Sequence, residues 1–287
     1  MKILLIGHSI IDHFGEATEA KPGGVYYSTL GFLSSFKPND QLMLLTGKNS
    51  KSFPLFERLY SKIDHSLSEE ILEMPEVFLY TSGNTERREV YKNVSMNLNF
   101  DDIKNISDFD GILINMITGF DISLDQLKWI RKNYSGLIYF DVHTLSRGLD
   151  ENGKREFRLI PYIKDWLGCV DILQCNESEL RTVFNSQNEE ISAGWILDQG
   201  TKVLIITKAE EGVSSYYKSY GELKFEKING EKIIVKNKIG CGDVFGATFF
   251  YSYIATHDIK QSLYIANKAG AYAASRSELF NCESISF

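Results

Sequence analysis

The chain has 287 residues, 43% hydrophobic and 13% aromatic, enough to bury one large core or a core with a smaller appended unit. Its 31 Lys and Arg against 38 Asp and Glu give a formal charge of -7, which argues against a surface built chiefly to bind nucleic acid or acidic lipid. No apolar run approaches the roughly 18 residues that cross a bilayer, so we expect a cytoplasmic protein without membrane insertion.

Short apolar runs rich in β-forming residues alternate with longer stretches of helical periodicity along most of the chain. This alternation predicts an α/β domain in which helices cover a parallel sheet. The predicted strands are KILLIG, QLMLLTG, GILINMI, GLIYFDV, VDILQCN and KVLIIT. The predicted helices between them are YYSTLGFLSSF, PLFERLYSKI, LDQLKWIRKNY and ESELRTVF.

Two segments depart from this rhythm. Residues 75–99 contain two alternating runs around Ser82-Gly83-Asn84, which predicts a hairpin that could form a lid. In residues 213–235, the runs VSSYYKS, ELKFEKI and EKIIVKN are separated by turn residues, so we expect three antiparallel strands at one sheet edge. After residue 240, DVFGATFFYSYIATHD and KQSLYIANKAGAYAASR predict two closely packed helices.

Cysteines and histidines give no metal-site pattern. No C-x-x-C pair occurs, and the closest histidines, His8 and His13, have no third ligand at suitable spacing. Buried thiols are therefore the expected state of the four cysteines, which are Cys169, Cys175, Cys241 and Cys282.

The most informative stretch is Gly240-Cys241-Gly242-Asp243, followed at once by an apolar helix. Two glycines before a helix let the backbone turn sharply and direct several N–H groups at one point, where the helix dipole favours negative charge. Asp243 beside such an anion site could accept a proton from a hydroxyl. The same position also suits a helix N-cap, and the spacing alone leaves both roles open.

This stretch resembles the C-terminal signature of the ribokinase-like, or PfkB-type, carbohydrate kinases, approximately D-x-T-G-A-G-D-x-F. Gly240, Gly242, Asp243 and Phe245 match it. The resemblance implies that Asp243 is the catalytic base and that the backbone of Gly240, Cys241 and Gly242 neutralises charge on the transferred phosphoryl group.

Other matches follow in the family's chain order. Asp12, after the first strand, and the pair Gly23-Gly24 resemble residues that touch the sugar. A carboxylate can accept hydrogen bonds from two hydroxyls, and glycines let a ligand approach the backbone closely. Asn176 and Glu179 resemble the N-x-x-E motif, which implies a nucleotide contact at Asn176 and a Mg²⁺ role for Glu179.

The nucleotide-binding loop and the adenine position have weaker counterparts. Thr207, Lys208 and Gly212, after the strand KVLIIT, resemble the loop that borders the nucleotide. Asn267 in the last helix occupies a position often near the adenine. Asp141 lies at a strand end, where ligands of open α/β sheets commonly bind, and the resemblance of Asp141-x-His143 to members acting on inositol or related polyols makes Asp141 a candidate substrate contact.

Several positions depart from the family pattern. Asn237, Ile239 and Cys241 replace the usual aspartate, threonine and alanine of the signature. Ser28 stands where an asparagine is expected after Gly-Gly, and is a candidate substrate contact with a shorter side chain. Ala209 replaces a common glycine. Substrate choice therefore transfers poorly from the family to this chain.

The resemblance implies a three-layer sandwich with a central, mostly parallel sheet and a small β lid. It predicts a single kinase domain over residues 1–287, with the lid formed by about 12–24 and 75–99. It further implies an ATP-dependent phosphotransferase that uses Mg²⁺ to phosphorylate a hydroxyl of a small sugar, polyol or nucleoside-like substrate. A monovalent cation is an additional candidate cofactor.

Two other functions stay open. The altered signature fits a ligand-sensing protein that keeps the fold with little catalysis. A sugar-phosphate kinase would need cationic side chains at the lid, which Arg87, Arg88 and Lys92 could supply. The lid sheet could also mediate a homodimer. Finally, amides around Cys241 could lower the pKa of its thiol, so we expect alkylation to inactivate the protein and ATP to protect it.

Overall fold

The structure is a computed structural model of the chain, and it describes residues 1–14, 19–80, 88–94 and 97–282. Within these ranges the helices are α1 Val25–Ser35, α2 Glu57–Tyr60, α3 Leu124–Asn133, α4 Ile163–Leu167, α5 Glu177–Val183, α6 Glu189–Asp198, α7 Cys241–Thr256 and α8 Ile259–Ala274. The strands are β1 Lys2–Ile6, β2 Ser9–Phe14, β3 Lys21–Gly24, β4 Gln41–Leu45, β5 Gly47–Lys48, β6 Glu69–Glu70, β7 Glu76–Tyr80, β8 Arg88–Lys92, β9 Gly111–Asn115, β10 Leu137–Asp141, β11 Arg147–Leu149, β12 Arg155–Phe157, β13 Ile172–Asn176, β14 Val203–Thr207, β15 Gly212–Ser219 and β16 Glu222–Asn229.

The main sheet has eight strands in the order β16-β15-β14-β13-β10-β9-β1-β4. The six strands from β14 to β4 run parallel, and β15 and β16 add an antiparallel edge. All six strands predicted for the body of the chain are present. The prediction of an α/β fold with a mostly parallel central sheet is therefore confirmed.

Side-chain alternation along β1 shows why helices cover both faces of this sheet. Ile3 and Leu5 belong to the buried cluster that packs with α1, α7 and α8. Leu4 and Ile6 point to the opposite face and belong to the cluster that packs with α3, α4, α5 and α6. A strand buried on both faces is apolar throughout, as KILLI is, and the three layers follow from that pattern.

A second sheet of four strands, in the order β3-β2-β7-β8, contains the segments predicted as a lid. Strand β2 follows directly from the carboxyl end of β1, with Gly7 and His8 between them. The predicted hairpin is present as the antiparallel pair β7 and β8, in which Val77 lies opposite Tyr91. Its predicted turn at 82–84 lies outside the described residues.

One predicted strand is wrong. EKIIVKN was expected to continue the sheet edge, but residues 230–239 form no strand and the Ile234 side chain is 81% exposed. The amides of Lys236 and Asn237 instead donate to the carbonyl of Ala274 at the end of α8. The β-propensity of this run was outweighed by contacts that bring the chain back toward α7.

The predicted helix PLFERLYSKI is also shorter than expected. A 3-10 turn at Phe53–Leu55, which contains Pro54, precedes the four residues of α2. Proline has no N–H to continue an α-helical ladder, so it confines the helix to the residues after it. Along the described part of the chain, none of the helices combines the length and hydrophobicity needed to cross a bilayer.

Candidate functional site

A small pocket lies between the four-stranded sheet and the ends of the main-sheet strands. Its apolar lining residues are Ile10, Val77, Leu79, Ile117 and Ile239. Its other lining residues are Asp12, Gly24, Tyr27, Tyr91, His143, Gly240 and Asp243. The structure thus brings Asp12, Gly24 and Asp243 together, as the sequence predicted, although Asp243 lies more than 200 residues from the other two in the chain.

Asp243 lies in the first turn of α7. Gly240 forms the N-cap with φ 77°, and a Cβ at this position would lie 2.4 Å from the Tyr27 ring. Both the left-handed backbone and the close approach of the ring therefore require glycine here. The first amides of α7 have no helical acceptor, so they are available to an anion beside the Asp243 carboxylate.

Asn115, at the carboxyl end of β9, is a functional candidate that the sequence analysis missed. Its Nδ2 donates to Oδ1 of Asp243 at 2.6 Å and to Oγ of Ser28 at 3.2 Å. The side chain is 1% exposed. The available signal was an amide at the end of the otherwise apolar run GILIN, at the edge where α/β sheets bind ligands.

Asp12 faces the same pocket from β2 and is 2% exposed. The hydroxyl of Tyr27 donates to its Oδ2 over a long distance of 3.4 Å. Burial and the nearby carboxylates of Asp12 and Asp243 raise the pKa of Tyr27 well above its usual value, so its hydroxyl stays protonated. A Cβ on Gly23 would lie 2.2 Å from Oδ1 of Asp12, so this glycine makes room for the carboxylate.

Asp141 lies behind the pocket wall and does not line it. Its Oδ2 accepts from Nε2 of Gln174 at 2.8 Å, and its Oδ1 accepts from the His143 amide at 3.1 Å. Burial raises the pKa of Asp141 well above its usual value. Gln174 also donates to the carbonyl of Gly242 at 3.3 Å and accepts from the Tyr139 hydroxyl, which connects Asp141 to the start of α7.

His143 lines the pocket in place of Asp141. Its backbone φ is 27°, and its Nδ1 lies 3.8 Å from Oε1 of Glu179. Burial lowers its pKa, but Glu179 together with the charges of Asp141 and Asp243 outweighs burial and raises the pKa of His143 to about 9. The imidazole is therefore cationic near neutral pH and faces the same space as the predicted base.

Asn176 and Glu179 form a capping box at the start of α5. Oδ1 of Asn176 accepts from the Glu179 amide, and Oε2 of Glu179 accepts from the Asn176 amide, both at 2.9 Å. The other carboxylate oxygen of Glu179, Oε1, faces His143. Within the described ranges, no group of three or more acidic, histidine or cysteine side chains is placed to hold a metal ion. Glu179 thus offers one carboxylate oxygen beside His143, and a hard cation prefers oxygen ligands of this kind.

An open groove lies near Gly212 and Asn267, two of the predicted nucleotide-binding residues, although neither of them lines it. The groove is lined by Glu210, Glu211, Lys227, Asn229, Gly230, Glu231, Lys232, Ile233 and Ile234. Asn267 donates to the carbonyl of Asn229 at 3.1 Å and so supports the groove from α8. In the chain, Thr207 and Lys208 come shortly before Glu210, and residues 230–239 lead to Gly240.

Lys208 and Gly212 have specific structural surroundings. Nζ of Lys208 lies 2.5 Å from Oε2 of Glu189, so its charge is already paired. Gly212 has φ 96°, and a Cβ there would lie 2.1 Å from the carbonyl oxygen of Ile228. Ala209, which replaces a common family glycine, has φ 47°. Its backbone therefore keeps a left-handed conformation that costs about 1 kcal/mol for a residue with a Cβ.

All four cysteines lie among the described residues, and none forms a disulfide. Cys169 and Cys175 are buried, as expected, and burial raises the pKa of each thiol. Cys241 and Cys282 are partly exposed. Sγ of Cys241 donates to the carbonyl of Lys238 at 2.8 Å. The predicted reactivity of the Cys241 thiol stays a prediction.

Comparison with known proteins confirms the resemblance. Residues 149–285, which include the stretch from Gly240 to Asp243, match the family model described as pfkB family carbohydrate kinase. An ATP-dependent 6-phosphofructokinase of Thermoanaerobacterium thermosaccharolyticum is 27% identical over 156 residues, which cover 53% of this chain and 44% of that protein. The chain thus spans less than half the length of the curated relative it matches.

Solved structures of ribokinase-family proteins share the fold over almost the whole chain. A pyrophosphate-dependent kinase complexed with a pyrophosphate analog and myo-inositol superposes with a TM-score of 0.78 at 15% identity, covering 97% of this chain and 98% of that one. A putative ribokinase II of E. coli in complex with ATP and Mg²⁺ superposes with a TM-score of 0.75 at 17% identity. This match covers 96% of this chain and 93% of that one. Ribokinase of Thermotoga maritima superposes with a TM-score of 0.74 at 16% identity, and the match covers 98% of both chains. At such identities the likeness shows the ribokinase fold alone.

Proposed function

We propose that this protein, which has the ribokinase fold, is an ATP-dependent kinase that phosphorylates a hydroxyl of a small sugar or polyol. The observation that carries the proposal is the placement of Asp243 at the N-terminus of α7, facing Asp12 across one pocket. A carboxylate for the acceptor, a second carboxylate for its proton and the first amides of a helix for the transferred group are the minimum for phosphoryl transfer.

In the proposed reaction, Asp12 accepts hydrogen bonds from acceptor hydroxyls, and Gly23 and Gly24 leave space beside it. The attacking hydroxyl gives its proton to the Asp243 carboxylate while its oxygen bonds to the γ-phosphorus. The bond from that phosphorus to the ADP oxygen breaks, and the electron pair leaves with ADP. The amides of Gly240 to Asp243 stabilise the charge on the transferred group.

A nucleotide is the donor that the second groove suits best. Ile233, Ile234 and Asn229 offer an apolar surface and polar backbone groups that a base can contact and that a bare pyrophosphate leaves empty. Residues 230–239 link the groove to Gly240 along the chain, and we propose that the triphosphate follows this segment to α7. We therefore expect ATP to support turnover and pyrophosphate to support at least about tenfold less.

Mg²⁺, when bound with the donor, would supply positive charge against the charge of the donor phosphates. Glu179 is the carboxylate of this chain proposed to hold it, through water, while the capping box fixes the side chain. The monovalent cation stays a prediction, as does a homodimer formed through the four-stranded sheet.

The decisive experiment compares Asp243→Asn with the wild type. We expect kcat to fall about 10²–10⁴-fold because the amide cannot accept the hydroxyl proton, while ATP affinity stays within about threefold. Asp198→Asn is the matched control, since Asp198 is an exposed carboxylate at the end of α6 that pairs with Lys218 of β15. Turnover by Asp243→Asn near the wild-type rate would rule out the mechanism.

The alternative of a ligand sensor is favoured by Ile239 and Cys241, which replace the family's usual threonine and alanine. An ADP-release assay over sugars, polyols and nucleosides, with ATP and Mg²⁺, separates the two functions. Acceptor-dependent ADP formation supports the kinase. Acceptor binding by calorimetry without any ADP formation would support the sensor.

A further inference from the structure

The four-stranded sheet separates its side chains into two faces. Val77, Leu79 and Tyr91 line the pocket. Alternate residues of the same strands point the other way, because successive side chains in a strand lie on opposite faces. On that outer face Arg88 lies 5.4 Å from the centre of the Tyr80 ring, and Nζ of Lys92 lies 4.5 Å from that of Phe78.

This alternation bears on the sequence-based idea that Arg87, Arg88 and Lys92 bind an acceptor phosphate. Arg88 and Lys92 are exposed on the face opposite the pocket, and their charges are held over aromatic rings there. Arg87 lies outside the described residues. The two described cations of the hairpin therefore do not face an acceptor in the pocket.

The electrostatics of the pocket wall also disfavour an anion. Asp12 and Asp243 carry negative charge, and among the described lining residues His143 is the one side chain that can carry positive charge. The His143 imidazole already lies 3.8 Å from Oε1 of Glu179, and the His143 amide donates to Oδ1 of Asp141. A phosphate ester entering this space would meet two carboxylates of like charge, which would repel it.

Other cations near the pocket are engaged elsewhere. Lys21 lies opposite Asp12 in the sheet register, and its Nζ is 2.6 Å from Oε2 of Glu19. Arg155 stacks on the Tyr91 ring at 4.4 Å and donates to the carbonyl of Thr118. Arg155 is buried and does not line the pocket.

From the two faces of the sheet and the charges of the wall, we propose that the acceptor is an uncharged polyhydroxylated molecule with an apolar face, and not a sugar phosphate. Its hydroxyls meet Asp12 and Asp243, and its C–H face packs on Val77, Leu79 and Ile117. This inference rests on the proposed kinase function. It separates this chain from the relative named as a 6-phosphofructokinase.

The test compares neutral acceptors with their own phosphate esters, such as fructose with fructose 6-phosphate and myo-inositol with an inositol monophosphate. Turnover is measured by ADP release, and acceptor binding is measured by calorimetry with the wild-type protein in the absence of nucleotide. We expect kcat/KM to be at least 100-fold higher for a neutral acceptor than for its ester. Equal or better use of the ester, or tighter ester binding, would overturn the inference while leaving the kinase proposal intact.

A binding result without turnover still decides between the two proposals. Binding of neutral acceptors only, without ADP release, would uphold the acceptor class and contradict the kinase function. Absence of binding by both members of every pair would overturn both. As a control, Lys92→Gln should leave kcat/KM unchanged within twofold for every acceptor. A tenfold loss confined to phosphate esters in that variant would place Lys92 in acceptor binding and refute the inference.

A second inference comes from Asn115, whose amide connects the base to α1. A carboxylate oxygen can only accept, so Nδ2 of Asn115 must face Oδ1 of Asp243. Oδ1 of Asn115 is buried and has no hydrogen-bond partner among the described residues. In this orientation the Asn115 oxygen makes no hydrogen bond among the described residues, while its Nδ2 donates to both Asp243 and Ser28.

We infer that Asn115 is a positioning residue that orients the Asp243 carboxylate. The amide holds Oδ1, which leaves Oδ2 for the proton of the acceptor hydroxyl. Ser28 supports the amide from α1 at 3.2 Å, and this contact gives the shortened side chain at that position a role. Small displacements of a reacting group can cost a factor of about 100 in rate.

Asn115→Leu and Asn115→Asp are the variants that test this role. We expect each to lower kcat about 10–100-fold while KM for acceptor and for ATP changes less than threefold. Asn115→Asp keeps the size of the side chain, so it remains informative should Asn115→Leu fail to fold. Near-normal kcat in the folded Asn115→Asp protein would overturn the inference.

A double-mutant cycle distinguishes positioning from a general structural defect. In the Asp243→Asn background, Asn115→Asp should lower the residual kcat by less than twofold, because there is no longer a base to orient. Full multiplication of the two losses would show that Asn115 acts independently of Asp243. The melting temperature of each variant is measured alongside.

Discussion

At the scale of single residues, the candidate site depends on glycines whose missing side chains make room for catalytic groups. The Asp12 carboxylate lies where a Cβ on Gly23 would be, and the Tyr27 ring lies where a Cβ on Gly240 would be. Such contacts leave no freedom for a Cβ, because the neighbouring groups are themselves buried and held in place.

Gly23→Ala should therefore impair the acceptor site in particular. A Cβ at 2.2 Å from Oδ1 of Asp12 forces the carboxylate to move, so we expect kcat/KM for the acceptor to fall at least about 100-fold. Gly194→Ala on α6 is the matched control, since no atom lies within 4 Å of its added Cβ. Steady-state kinetics with both variants check this, and an unimpaired Gly23→Ala protein would show that Asp12 does not need its present position.

Local sequence motifs identified several residues of the candidate site, but they did not identify Asn115. Asp12, Gly24, Gly240 and Asp243 were found because their motifs are local in sequence. Asn115 was not, since its role depends on an Asp243 contact across 128 positions, and no local pattern encodes that distance. For the same reason the sequence pointed to Asp141, whereas the pocket is lined by His143 two residues further on.

At the scale of elements, one buried carboxylate holds several layers together. Asp171, just before β13, accepts from Arg131 of α3 at 2.9 Å, from Lys202 at 2.8 Å and from the Ile138 amide of β10 at 2.9 Å. The pair Lys128 and Asp165, which also bridges α3 to α4, is about half exposed and contributes much less.

We expect Asp171→Ala to lower the free energy of unfolding by about 2–4 kcal/mol, because it leaves the buried Ile138 amide without its acceptor and removes the carboxylate partner of Arg131. Asp198→Ala, which removes an exposed partner of Lys218, should cost at most about 1 kcal/mol. Urea denaturation measures both. A cost for Asp171→Ala no larger than that of its control would contradict the structural role assigned to it.

Sequence periodicity predicted the elements well wherever burial and propensity agree. The six strands of the parallel sheet are apolar on both faces, and each was recognisable by itself. EKIIVKN was misassigned because its β-branched residues match a strand, whereas contacts with α8 decide its conformation. Such a contact is tertiary, and the sequence of the segment does not contain it.

At the scale of the whole molecule, the four-stranded sheet and one face of the main sheet share a single hydrophobic cluster. Ile10, Val77 and Leu79 of the small sheet belong to the same cluster as Phe249 and Phe250 of α7. A small sheet that packs into the common core has little separate stability of its own. This supports the prediction that residues 1–287 form one domain.

We therefore expect one cooperative thermal transition. The three tryptophans, Trp129, Trp166 and Trp195, lie on α3, α4 and α6, so their fluorescence reports on the layer opposite the pocket. Far-ultraviolet circular dichroism reports on the whole chain. Coincident melting curves by the two methods would support one domain, whereas transitions separated by several degrees would show two units.

The contact of Asn115 with Asp243 and Ser28 also has a consequence for the time at which activity arises during synthesis. A nascent chain that has emerged only as far as β14 already contains every parallel strand of the main sheet, yet it carries no base. Under the proposed mechanism, chains that end before α7 consume neither donor nor acceptor. We therefore expect activity in a cell extract to come only from chains synthesised as far as α7 and beyond.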